Sequence, residues 1–168
     1  MEQIIADLDK DEQELQLAVE NLTRDYNMGT IIRSANAFGV RRVHIIGRRQ
    51  WNKRGAMMTD KYLHVQYHPS VDAFMQAMRQ QEYTVVAADN VQHSTPLGQA
   101  MLPRRTCLVF GSEGDGLSTE LLGKADAVVA IEQFGSTRSI NVGVAAGIML
   151  YEWVRRHRLP VVSTFEKS

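Results

Sequence analysis

The chain predicts an α/β fold, a mostly parallel sheet with helices on both faces. Three observations carry that expectation. Short apolar runs alternate with segments whose apolar residues recur at helical spacing, the pattern that puts helices on a parallel sheet. Polar clusters follow directly on three of the apolar runs, and open α/β sheets bind ligands outside the carboxyl ends of their strands. A length of 168 residues suits one domain with a workable core.

Leu15, Leu17 and Val19 alternate with Gln16, Ala18 and Glu20, a period of two that marks a first strand over about 14–20. After "NLTRDYN", Ile31, Ile32, Ala35 and Phe38 recur at helical spacing. They predict a helix over about 28–38, with Asn27 as N-cap and Gly39 as its left-handed C-terminal residue. "RVHIIG" reads as the second strand, and Arg48 to Pro69 as a long functional loop. Ser70 caps a helix running to about Gln81, and "YTVVAAD" follows as a strand. "RTCLVFG", the glycine loop "GSEGDGL", the helix "STELLGKA" and the strand "DAVVAI" come next. "FGSTRSIN" then leads into a helix over about 141–157.

Composition bounds the function. Nineteen basic and nineteen acidic residues cancel, and 44% hydrophobic content is ordinary for a soluble globular chain. There is neither an apolar run of about 18 residues nor a basic-then-apolar leader, so a cytoplasmic protein without membrane contact is expected. Cys107 is the single cysteine, which excludes an internal disulfide, and its strand setting suits a buried thiol. Residues 1–13 form an acidic segment that reads as solvated and frayed, residues 14–158 the core, and 159–168 a polar tail. Tyr26 through Thr59 contain no acid but do contain Arg33, Arg41, Arg42, Arg48, Arg49, Lys53 and Arg54, with Trp51 among them. Such a stretch suits a phosphate-binding face, and equally a solvated surface whose acids lie elsewhere in the fold.

Each polar cluster has a plain reading beside the functional one. Gly111, Gly114 and Gly116 space as neither a dinucleotide fingerprint nor a phosphate loop, so "GSEGDG" is a ligand cradle or a simple strand-to-helix turn. Asn27, Ser139 and Asn141 serve as caps as readily as ligand contacts, and Arg33 as a solvated arginine. His64 and His68 have the i, i+4 spacing of a helical metal pair, but no third ligand is evident and no metal is expected.

Taken in order, Asn27 with Arg33, "LVFGSEGDGLS" and "SINV" resemble the three motifs of the SpoU/TrmH-type branch of the SPOUT RNA methyltransferases, from about Leu15 to Trp153. The resemblance implies a 2′-O-ribose methyltransferase that uses S-adenosylmethionine. It also implies a sheet whose C-terminal part forms a deep trefoil knot, and a homodimer with its pocket near the subunit interface. On this resemblance the catalytic group is Arg33 with Asn27, Glu113, Ser139 and Asn141. The cofactor would lie against Phe110, Gly111, Glu113, Gly116, Ile131, Gly135, Ser139, Ile140 and Asn141. Two positions depart from the family pattern: Glu132 stands where proline is common and Gly143 where serine is.

The expected substrate is structured RNA, tRNA ahead of rRNA. RNA contact falls to Arg41, Arg42, Arg48, Arg49, Lys53 and Arg54, with Arg155, Arg156 and Arg158 as further candidates. A non-catalytic RNA-binding homologue and a nucleotide-binding α/β enzyme are the competing classes.

Overall fold

The computed structural model describes residues 1–21, 27–112, 114–137 and 139–160. Seven strands form one sheet in the order β3-β2-β1-β6-β4-β7-β5. They are β1 (Leu15–Asn21), β2 (Arg42–Gly47), β3 (His64–His68), β4 (Thr84–Ala88), β5 (Thr95–Pro96), β6 (Thr106–Phe110) and β7 (Ala127–Ala130). Every pairing is parallel, as the alternation of strand and helix requires. The helices are α1 (Glu2–Asp9), α2 (Met28–Ala37), α3 (Val71–Gln80), α4 (Thr119–Lys124) and α5 (Val142–His157).

The pleat of β1 divides the core. Leu15, Leu17 and Val19 meet Met28, Ile31, Ile32 and Ala35 of α2 and Ala146, Met149, Leu150 and Trp153 of α5. On the opposite face, Ala18 and Ile46 meet Val71, Phe74, Met75 and Met78 of α3 and Leu121 of α4. Helices therefore cover both faces. The polar positions of β1 are buried as well, where alternation suggests a wet face. Gln16 Oε1 accepts a hydrogen bond from His44 Nε2 at 2.8 Å, and His44 Nδ1 pairs with His68 Nε2 at 2.9 Å. Glu20 accepts from the Ser118 backbone N–H at 2.8 Å and from the Ser118 hydroxyl at 2.6 Å, tying β1 to the start of α4. Partners inside the protein replace water for each of these groups.

Two local expectations, a long loop after the second strand and a frayed N-terminus, are corrected, and the histidine pair has other partners. Arg48 to Pro69 is not a plain loop: it contains two 3-10 turns, Arg54–Ala56 and Thr59–Tyr62, followed by β3. His64 and His68 accordingly lie on a strand, not a helix. His68 bonds His44 and His64 bonds Asp9, which leaves them on separate partners. Among the described residues no group of three or more His, Cys, Asp or Glu could hold a metal. The acidic N-terminus is helical, not frayed. Asp9 meets Arg41 at 2.9 Å and His64 at 3.0 Å, Glu12 meets Arg42 at 2.7 Å, and Asp11 meets Arg158 at 3.0 Å. Acids that look solvated in sequence are the counter-charges of the strand starts.

Ser70 and Asn141 cap as the sequence suggests, Ser118 caps in addition, and Asn27 does not. Ser70 accepts from the Ala73 backbone N–H, Ser118 from Leu121, and Asn141 from Gly143 at 2.9 Å and Val144 at 3.3 Å. Asn27 holds the N-cap position of α2 but makes no side-chain cap bond. Gly39 has φ +76°, the left-handed geometry that ends α2.

Candidate active site

The carboxyl edge of the sheet gathers the polar clusters. β4, β6 and β7 end at Ala88, Phe110 and Ala130, and the segments that follow wall one cavity. Phe110, Gly111, Gly116, Ile131, Ser139 and Ile140, all expected at the cofactor, line it. Gly135 and Asn141 do not line it. Glu113 lies outside the described residues. Asp89, Asn90, Ser112, Gln133, Ala145 and Met149 line it as well; Ser112 and Gln133 lie inside the two loops expected at the cofactor, whereas Asp89, Asn90 and Met149 are not singled out in the sequence. Asp89 and Asn90 directly follow the run "YTVVAA", so the rule that drew attention to the other strand ends would have found them.

The glycines have a geometric cause. A Cβ on Gly111 would stand 2.3 Å from the carbonyl carbon and oxygen of Gly116, because the loop folds back on itself there. The Gly116 backbone N–H donates to the Ser112 carbonyl at 3.1 Å, and φ is +97° at Gly114 and +67° at Gly116. Asp89 secures the loop from β4 by accepting from the Leu117 backbone N–H at 3.0 Å. The Ser112 hydroxyl is buried on the cavity wall without a hydrogen-bond partner among the described residues. Orphaned buried hydroxyls are rare, and one beside a cavity is a group held ready for a ligand. Apolar walls from Phe110, Ile131, Ile140 and Met149, together with three segments of main chain, suit a nucleoside such as that of S-adenosylmethionine.

Asn141 connects the first motif to the third. Its amide nitrogen donates to Asn27 Oδ1 at 3.1 Å while its carbonyl oxygen caps α5. One side chain thus fixes the start of α2 against the start of α5, residues 114 positions apart. Thr30 packs into the same junction, and a Cβ on Gly143 would meet its methyl at 3.1 Å. A serine at 143 would crowd Thr30, which accounts for the glycine. Glu132 is held away from the cavity, accepting from the Gly98 backbone N–H at 3.0 Å. Arg33 lies exposed on α2 and is not part of the cavity lining.

The basic stretch divides. Arg41 is 3% exposed and paired with Asp9, Arg42 is paired with Glu12, and Lys53 with Asp60 at 2.8 Å. Arg48, Arg49 and Arg54 are exposed and have no acidic partner among the described residues. Of the C-terminal candidates, Arg155 and Arg156 share Glu152 and Arg158 meets Asp11.

The sequence model of the SpoU rRNA Methylase family matches residues 14–151. The chain belongs to this family. A relative, the tRNA (guanosine(18)-2′-O)-methyltransferase of Thermus thermophilus, is 27% identical over 154 residues, covering 87% of this chain and 76% of that one. The AdoMet-bound rRNA methyltransferase of Sinorhizobium meliloti superposes with a TM-score of 0.77 at 30% identity, over 89% of this chain and 59% of that one. A solved structure that concerns the 2-OH methylation of C/U34 on tRNA matches with a TM-score of 0.72 at 26% identity. It covers 84% of this chain and 95% of the other, so the two are of similar length.

Proposed function

We propose that this chain transfers a methyl group from S-adenosylmethionine to a ribose 2′-hydroxyl of structured RNA, with tRNA ahead of rRNA. The observation that carries the reading is the Asn27–Asn141 bridge, which joins the first and third motifs beside a cavity walled by the second and third. S-adenosylmethionine supplies an electrophilic methyl on sulfur. Phe110, Gly111, Ser112, Gly116, Ile131, Ser139 and Ile140 would hold it, and Glu113 and Gly135 belong to the same proposed set. Asn27 and Asn141 fix the helix starts on which the acceptor ribose is placed, since in-line positioning supplies much of the rate. For the ribose oxygen to take that methyl, its proton would have to leave, to the adjoining phosphate or to water. A guanidinium keeps its own proton at neutral pH and is a poor acceptor. Arg33 therefore binds the adjoining phosphate and stabilises charge developing on the oxygen.

The same reading includes one catalytic domain with its core over residues 14–158, a homodimer and a cytoplasmic setting. Val144, Ile148 and Tyr151 support the dimer, as exposed apolar residues on one face of α5. Among the described residues no helix is long and apolar enough to cross a membrane. We also propose the C-terminal trefoil knot. It is supported by the way α5 is clasped: Trp153 Nε1 donates to the Pro103 carbonyl at 3.0 Å, His157 Nε2 to Leu102 at 2.7 Å, and Arg156 to Ala100 and Leu97.

Two tRNA positions are in contention. The guanosine-18 relatives favour the first, and the similar length of the C/U34 protein favours the anticodon loop. Mapping 2′-O-methyl groups in tRNA with and without the protein decides between them. Absence of S-adenosylmethionine binding by calorimetry, together with unchanged methylation by Arg33→Ala, would overturn the enzyme reading.

A further inference from the structure

The segment after β2 stands apart from the rest of the basic stretch. The Arg49 guanidinium lies 4.7 Å from the centre of the Tyr67 ring, and Lys53 Nζ 5.4 Å from the Trp51 ring. Cations and aromatic rings therefore alternate along one short ladder. Tyr67 is 38% exposed although it sits on a strand, and Arg49 is exposed with no acid among the described residues to neutralise it. Lys53, by contrast, is neutralised by Asp60.

The ladder is anchored at both ends. Asn21 Nδ2 donates to the Arg48 carbonyl at 2.6 Å and to Gln50 at 3.0 Å, and the Arg48 backbone N–H returns a bond to the Asn21 carbonyl at 3.0 Å. At the other end Gly29 of α2 lies so close to Gly55 and Ala56 that a Cβ there would stand 2.5 Å from the Ala56 nitrogen. Both anchors flank residues 22–28, where the first motif begins.

Its placement is as specific as its composition. Tyr67 pairs in register with Ile45, whose side chain joins the α2 side of the core, so Tyr67 lies on the sheet face that carries Asn27 and Arg33. It is also at the carboxyl edge of β3. Three strand spacings separate β3 from β6, where the cavity begins, or about 14 Å. An RNA strand with its reacting ribose at the cavity would pass Tyr67 a few nucleotides away.

We propose that Arg49 and Tyr67 form a stacking platform for an unpaired base of the substrate RNA, with Arg48 and Arg54 on the flanking phosphates. A guanidinium over a ring presents a flat cationic surface that attracts the backbone and stacks with any base, while a duplex keeps its base faces covered. The enzyme then selects a loop over a helix before any base edge is read. This inference rests on the RNA-methyltransferase reading, but its test needs no chemistry.

Anisotropy titrations compare a fluorescein-labelled stem–loop RNA with a blunt duplex of the same stem, for the full chain, Tyr67→Ala, Tyr67→Phe and Arg49→Ala. The expected result is that Tyr67→Ala weakens stem–loop binding about tenfold, a stacked base's typical contribution. Duplex binding stays unchanged and Tyr67→Phe binds as the wild type. Arg49→Ala should weaken both RNAs and the stem–loop more. Stem–loop affinity within twofold of wild type for Tyr67→Ala, or an equal loss on the duplex, overturns the platform. S-adenosylmethionine affinity, measured on the same variants by calorimetry, should not move; a stem–loop that binds and stacks without being methylated would sink the enzyme reading and leave the platform standing.

Discussion

The two edges of the sheet handle charge in opposite ways. At the amino edge, where β1, β2, β3 and β6 begin, Asp9, Asp11, Glu12 and Glu14 meet Arg41, His64, Arg158, Arg42 and Arg105. At the carboxyl edge, among the described residues, Arg48, Arg49 and Arg54 stand without acids and the Ser112 hydroxyl is buried without a partner. The amino edge pairs its arginines with acids of the same chain, and the carboxyl edge leaves three of them for something else. Arginines a few positions apart in the chain thus have unrelated roles: Arg41 secures the N-terminal helix, and Arg49 is presented to solvent.

The largest expected effect is at the carboxyl edge. Arg33→Ala should lower methyl transfer by about 10²–10³-fold, the typical cost of losing one charge-stabilising donor. Its melting temperature should stay within a degree or two, because the side chain is exposed. A collapse in stability would erase the distinction between the edges. Arg41→Ala should do the reverse, costing about 1 kcal/mol in denaturant titrations through the lost Asp9 pair and the lost packing of a buried side chain, with cofactor affinity unchanged.

Between the edges lies His44, whose pKa burial depresses to about 3, with the charges of His68 and Arg42 acting in the same direction. Its folded value lies below that of a free histidine near 6.5. Its contribution is therefore whole above that value and drains as pH falls toward 3, by about 1.4 kcal/mol per unit. His44→Gln should flatten the acid limb of the stability curve, measured by urea unfolding at several pH values; an unchanged limb would assign acid sensitivity to the carboxylates of the amino edge. The smallest effect is on salt dependence. Arg48→Ala, Arg49→Ala and Arg54→Ala should each lower the slope of log affinity for RNA against log salt by about one, whereas Arg42→Ala should leave it alone.

Much of this was legible in the chain because each signal was local. The period of two in β1, the serine at 70 and the left-handed Gly39 report on neighbours a few residues away, and the structure has them as read. What escaped depends on distant partners. The strand "HVQYH" carries too little apolar alternation to announce itself and exists because β2 lies alongside it. The helix at Glu2–Asp9 was masked by its acids, and the acids around it find counter-charges up to 147 residues away. At the site, Asn27 and Asn141 could be paired only by resemblance, since nothing local signals a bond across 114 positions. Asn21 looks like an ordinary strand-end residue until its bonds to the Arg48 and Gln50 carbonyls are seen.

Cys107 sits in β6, between Gln16 of β1 and Val85 of β4, and is wholly buried. Burial also pushes its thiol pKa up, so in the closed protein it is shielded and unreactive. As the chain's single sulfhydryl, it is a built-in clock for the middle of the sheet. The rate at which a thiol reagent reaches it measures how often the central strands part, and the slowing of that rate on adding S-adenosylmethionine would report how far the cofactor fastens them together.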